Sequence, residues 1–143
     1  MLFPDVNVVV YAFRPSDSER AAAVRTWLLD RLDRGEQMGV SELVLSAFVR
    51  IATNGRIFNE PATPASALAF ADSLLAHPRV SVVRGRDRHW PFFRELLLQN
   101  KLRGNDVPDA YLAALCLEAG ATMATTDRGF RRFDGLRMVD PLA

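Results

Sequence analysis

Scarcity narrows the chemistry of this chain before any motif is found. Cys116 is its only cysteine, Lys101 its only lysine, and His77 and His89 its two histidines. One cysteine permits neither an internal disulfide nor a thiolate cluster for zinc. Cys116 lies in the apolar run Tyr111-Leu112-Ala113-Ala114-Leu115-Cys116-Leu117, which suits a small core residue rather than a reactive thiol. His77 precedes Pro78 at a helix exit and His89 precedes Trp90 at a helix start, so both suit surface or capping roles. They form no convincing pair for general acid–base work. No apolar run approaches the roughly 20 residues of a membrane helix. Met1-Leu2-Phe3-Pro4-Asp5 has no basic region ahead of a long apolar stretch, so no secretory signal is read. A reduced, cytoplasmic setting fits. Excess charge is also missing: 18 basic against 17 acidic residues leave a formal +1. Net charge therefore excludes no partner, and the local arrangement must be read instead.

What is present is ample apolar content, 49% of 143 residues, enough for one core and one domain over residues 1–143. There is no internal repeat, low-complexity stretch or interdomain linker. A very short strand ends near Asp5, and Val8 to Phe13 reads as a buried helix. Asp17 to Leu32 is an amphipathic helix, with Ala21, Val24, Leu28 and Leu32 on one face and Gly35 beyond its end. Met38 to Val40 is a strand. Ser41 caps a helix whose apolar face is Leu43, Val44, Ala47, Phe48 and Ile51. Thr63-Pro64 starts another helix and Pro78 stops it. Val80 to Val83 is a strand, and His89 to Leu98 a helix with Trp90, Phe93, Leu96 and Leu97 near one face. Asp106 is the expected cap of the most apolar helix, which ends at Gly120. Strands at Ala121–Thr125 and Leu136–Val139 complete the chain. Strands alternating with helices predict an α/β fold with right-handed crossovers and a mainly parallel sheet.

Acidic residues recur at the positions where such a sheet gathers its ligands, outside the carboxyl ends of the strands. Asp5 follows the first strand and Asp127 a later one. Asp109 and Glu42 each fall in the first turn of a helix, where free amides and the dipole favour negative charge. Each also has a plainer use: Asp5 as a helix cap, Asp127 in a turn, Asp109 and Glu42 as first-turn charges. Carboxylates brought together repel and take up protons. A hard cation such as Mg²⁺ or Mn²⁺ relieves that repulsion through oxygen ligands. Asn7 can add a neutral oxygen or orient Asp5, and Thr125 and Thr126 can bond carboxylates or metal-bound water.

Four segments closely resemble the PIN domain. They are Pro4-Asp5-Val6-Asn7, Ser41 to Arg50, Gly104 to Ala114, and Thr125-Thr126-Asp127-Arg128-Gly129-Phe130. More narrowly, they look like the VapC toxin ribonucleases of bacterial type II toxin–antitoxin pairs. The stretch Arg131-Arg132-Phe133-Asp134-Gly135-Leu136 is similar to that family too. The resemblance implies a three-layer α/β/α fold with a central parallel sheet and a Mg²⁺- or Mn²⁺-dependent endoribonuclease. It implies Asp5, Asp109 and Asp127 as metal ligands, Asn7 and Thr126 in support, a VapB-like antitoxin as partner, and homodimerisation. Many PIN domains carry their second acid at about Ala47. This chain offers Glu42 instead, five residues earlier and about 1.4 helical turns away. Glu42 or Asp106 would then complete the acidic set.

An acidic centre alone repels RNA, so a basic rim is expected. Arg14, Arg50, Arg84, Arg86, Arg88 and Arg128 are its candidates, since guanidinium groups bind phosphate through several donors. The cluster Arg84-Gly85-Arg86-Asp87-Arg88 suits a solvated loop equally well, as do Arg131 and Arg132. Two other functions remain open. A nonenzymatic RNA- or protein-binding domain would bind without metal-dependent cleavage. A Mg²⁺-dependent receiver-like phosphoacceptor would want a lysine after a late strand, and Lys101 lies before the Asp109 helix.

Overall fold

The computed structural model describes residues 1–143 and draws every strand into one parallel sheet. β1 (Leu2–Pro4), β2 (Met38–Val40), β3 (Val80–Val82), β4 (Thr122–Ala124) and β5 (Arg137–Val139) lie in the order β3-β2-β1-β4-β5. Leu2 is in register with Met38 on one side and Thr122 on the other. The helices are α1 (Val6–Phe13), α2 (Glu19–Asp33), α3 (Glu42–Ala52), α4 (Pro64–Ala76), α5 (His89–Asn100) and α6 (Val107–Ala119). α1 packs on α2 and α3, and α3 on α4, while α5 pairs with α6. Right-handed crossovers put α1–α4 on one face of the sheet and α5–α6 on the other. This is the three-layer α/β/α fold. β1 and β2 are fully buried because both of their faces are covered, whereas the edge strands β3 and β5 are partly exposed.

Local chemistry explains most element boundaries. Ser41 and Thr63 accept from the backbone N–H groups of Leu43 and Ser66, capping α3 and α4 as their sequences predict. α2 begins at Glu19 rather than Asp17, because Ser18 accepts from the Ala21 N–H at 3.0 Å and Pro15–Asp17 forms a separate 3-10 turn. Gly120 closes α6 at φ 64, the left-handed conformation a helix terminus requires. Gly39 is needed for space: a Cβ there would lie 2.4 Å from Val83 Cγ2.

Three expectations are corrected by packing. The buried stripe of α3 is Val44, Leu45, Phe48 and Ala52, one position later than predicted, and Leu43 is 42% exposed. Phe48 sets this rotation by meeting Phe13 and Phe70 at ring-centroid distances of 5.2 and 5.6 Å. On α5, Trp90 is 64% exposed while His89 is buried, its Nε2 lying 3.1 Å from the Tyr111 carbonyl oxygen. His89 is thus part of the α5–α6 contact rather than a surface or capping residue. His77 does act at a helix exit, accepting from the Arg79 N–H. Asp106 occupies the cap position of α6 but has helical backbone angles and no capping hydrogen bond. Cys116 is fully buried, and burial pushes its thiol up, so it is an unreactive core group. No helix is long and apolar enough to cross a membrane.

Candidate active site

Strand order reverses between β1 and β4, the place where a parallel sheet opens a crevice at its carboxyl end. Asp5 leaves β1 at that crevice and Thr125 to Asp127 leave β4. Asp5 is 7% exposed. Its Oδ1 accepts from the Val6 N–H at 2.7 Å, so it caps α1 while facing the crevice. Its Oδ2 accepts from the Thr125 hydroxyl at 2.8 Å and from Asn7 Nδ2 at 3.2 Å. The Thr125 oxygen in turn accepts from the Asp127 N–H at 3.0 Å. One buried hydroxyl therefore ties the end of β1 to the turn after β4. Asp127 Oδ1 accepts from the Gly129 N–H at 2.8 Å, opening the 3-10 turn Arg128–Arg132.

Asp109 lies in the first turn of α6 and binds Arg132 Nη2 through Oδ2 at 3.1 Å. The same guanidinium nitrogen lies 3.8 Å from Asp106. Burial, then the negative charges of Asp5, Asp127 and Asp106, push the Asp109 carboxyl up to about 6, with Arg132 opposing them. Burial also raises Asp5, assisted by Asp127 and opposed by the bonds from Thr125 and Val6. Asp5 and Asp127 thus stand close enough to disfavour ionisation of Asp109, and Asp127 close enough to disfavour that of Asp5.

The donor chemistry suits a hard cation. The crevice offers carboxylate oxygens in mutual repulsion. Asn7 must turn its amide nitrogen toward the acceptor-only carboxylate of Asp5, which leaves Oδ1 buried without a partner. In this conformation no three acidic, histidine or cysteine side chains are gathered as a ready ligand set. Arg132 supplies the local positive charge, and its buried Nε has no acceptor.

The remaining predicted residues are dispersed. Glu42 is exposed at the start of α3 and pairs with Arg84 at 2.9 Å. It is not among the charges that shift Asp5 or Asp109. Thr126 makes no side-chain hydrogen bond, so Thr125 carries the contact to Asp5. Arg14 is tied to Asp17 and to the Glu60 carbonyl, and lies 4.1 Å over the Phe58 ring. Arg50 is exposed two turns below Glu42, about 12 Å along the α3 axis. Arg86 and Arg88 are held through their backbone N–H groups by Glu118 in the last turn of α6. That places them away from the carboxylate rim, for a physical reason invisible in the sequence: the loop is anchored to the far end of α6. Arg128 does adjoin the crevice, lining a recess of about 150 Å³ with Asp127, Arg131 and Asp140. Arg132 was indistinguishable from a solvated arginine by sequence, since its partner Asp109 lies 23 residues away.

A parallel α/β/α sandwich with an acidic crevice at the β1–β4 reversal defines a PIN-type fold. The PIN domain family model matches residues 2–136, and the chain belongs to that family. It is 46% identical over 143 residues to Ribonuclease VapC43 of Mycobacterium tuberculosis, covering 99% of this chain and 96% of that protein. It is 33% identical over 141 residues to Ribonuclease VapC31 of the same organism, covering 99% of each. Among solved structures, VapBC2 from Rickettsia felis bound to a promoter DNA fragment aligns with a TM-score of 0.70 at 18% identity, covering 98% of each chain. The sarcin–ricin-loop-cleaving toxin VapC20 of Mycobacterium tuberculosis aligns with a TM-score of 0.66 at 17% identity, covering 92% of this chain and 93% of that one. At these identities the two structures speak for the fold.

Proposed function

We propose that this chain is a Mg²⁺- or Mn²⁺-dependent endoribonuclease that acts as the VapC-type toxin of a toxin–antitoxin pair. The observation that carries the reading is geometric: the strand-order reversal brings Asp5 and the turn bearing Asp127 together, bridged by the Thr125 hydroxyl, with Asp109 near enough to feel the charges of both. Identities of 46% and 33% along nearly the full length of proteins named VapC ribonucleases support the RNA substrate and the toxin role. The fold shared with VapBC complexes supports a VapB-like antitoxin that restrains the enzyme, in a homodimer or a toxin–antitoxin hetero-oligomer.

Asp5, Asp109 and Asp127 would hold the metal, with Asn7 Oδ1 as a neutral oxygen. When bound, such an ion lowers the pKa of a water and offsets charge on the phosphate. Thr125 favours the ionised form of Asp5 and orients it by donating to Oδ2. Arg128 and Arg131 draw the phosphate backbone toward an otherwise acidic crevice. Glu42 joins the site only by releasing Arg84. The receiver-like alternative loses its lysine: Lys101 sits at the end of α5, not beyond a strand.

Purified protein incubated with varied RNAs, with EDTA and metal add-back, tests the reading. Cleavage should stop in EDTA and return with Mn²⁺ or Mg²⁺. Asp5→Asn and Asp109→Asn should each lower the rate by at least about 100-fold, since even groups that merely orient metal ligands cost 10- to 100-fold. Cleavage that persists in EDTA or in both variants would refute the mechanism. Binding of RNA without any cleavage would favour the nonenzymatic alternative.

A further inference from the structure

The segment Arg84–Arg88 forms an arginine-rich strap along the exposed β3 edge. At its start Arg84 reaches Glu42 at the carboxyl end of the sheet. Two residues on, the backbone N–H groups of Arg86 and Arg88 both donate to the Glu118 carboxylate, at 2.7 and 2.8 Å. Slight desolvation works against ionisation of Glu118, but those two bonds and the nearby charges of Arg86 and His89 outweigh it and hold the carboxyl below its ordinary value. The strap therefore runs from the upper rim of the sheet to the far end of α6. Asp109 and Glu118 are nine residues apart on that helix, about 13 Å along its axis.

The anchor fixes the backbone and leaves the side chains free. Arg86 and Arg88 are exposed and neither pairs with a carboxylate; Arg88 rests over the Phe92 ring at 4.8 Å. Beneath the strap a groove of about 400 Å³ is lined by Met1, Ser81, Val83, Arg84, Arg86 and Glu118. Trp90, two residues past Arg88, is 64% exposed. Unpaired guanidinium groups on a fixed frame suit phosphate oxygens, and an exposed indole suits a base.

We infer that the strap and groove along β3 form a second RNA-binding surface, distant from the carboxylates, that grips the backbone of the substrate strand. This rests on the ribonuclease reading above. At a rise of about 3.4 Å per nucleotide, spanning about 13 Å takes roughly four nucleotides. The surface therefore favours long or folded RNA over short fragments.

The test uses the full chain and the double variant Arg86→Gln/Arg88→Gln, with binding measured in EDTA so that cleavage plays no part. For a single-stranded RNA of about 20 nucleotides, losing two phosphate contacts should make the salt slope shallower by about 1.4. Between 50 and 200 mM salt, the drop in affinity should then be about sevenfold smaller than for the wild type. The charge-conserving Arg86→Lys/Arg88→Lys variant should restore most of the slope. With metal, the glutamine variant should cleave a dinucleotide, too short to reach the strap, at the wild-type rate. An unchanged slope overturns the inference, as does an equal loss on the dinucleotide or a glutamine variant whose main change is its oligomeric state. If the wild type cleaves nothing yet the slope still falls, the surface stands and the ribonuclease reading fails.

Discussion

Replacing Thr125 by valine removes one oxygen while leaving the side-chain shape nearly intact. That oxygen is the hinge of the crevice: it donates to Asp5 Oδ2 at 2.8 Å and accepts from the Asp127 N–H at 3.0 Å, in a residue 1% exposed. A hydrogen bond to a charged group contributes about 1.5–3 kcal/mol, and leaving a buried donor unsatisfied costs about 1–3 kcal/mol. Allowing for relaxation of the turn, Thr125→Val should destabilise the protein by about 2–4 kcal/mol at pH 8. Urea unfolding should show this as a lower midpoint with an unchanged slope. The effect should also depend on pH. The hydroxyl favours ionised Asp5, so its loss raises further a carboxyl already above its ordinary value. A raised folded-state pKa costs stability as pH rises through the carboxylate range. The gap between wild type and variant should therefore be wide at pH 8 and narrow toward pH 4. A loss below about 0.5 kcal/mol, or a gap that widens toward acid, would refute this account of how the two strand ends are joined.

Asp109, pushed up to about 6 from an ordinary 3.8, should erode stability as pH rises between those values; Asp109→Asn should flatten that part of the pH–stability curve measured by thermal unfolding. Phe48→Ala should cost about 3–5 kcal/mol, because it empties the centre of the Phe13–Phe48–Phe70 cluster, and denaturant titration reads it directly. Gly39→Ala should cost about 1–3 kcal/mol, since its Cβ would meet Val83 Cγ2 at 2.4 Å and β2 cannot move without disturbing β1 and β3. Glu118→Gln should lower stability at neutral pH, and the difference from wild type should fade as pH falls through the carboxylate range, because the folded protein holds that carboxyl below its ordinary value.

The elements that place Asp5, Asp109 and Asp127 on one rim were legible because their signals are local. Ser41, Thr63-Pro64 and Gly120 mark helix ends wherever they occur, and strand–helix alternation fixes which end of the sheet faces the crevice. What escaped depended on contacts distant in sequence. Thr125 and Thr126 are adjacent and chemically equal; only the folded path of the chain beyond β4 brings the first to Asp5. The α3 stripe was misplaced by one residue because Leu43 and Leu45 are equally apolar, and Phe13 and Phe70 decide which turns inward. Arg132 finds Asp109 across 23 residues, and Glu118 takes Arg86 and Arg88 across 32 and 30. Charge composition contains none of these pairings.

The bond from Thr125 to Asp5 joins residues 120 positions apart. Translation yields Asp5 well over a hundred residues before Thr125 and Asp127, so a ribosome-bound fragment ending before β4 has no assembled crevice. For the ribonuclease proposed above, this order of synthesis is a built-in delay: a fragment that stops before β4 lacks both the Thr125 bridge and Asp127, and so lacks the means to hold the proposed metal.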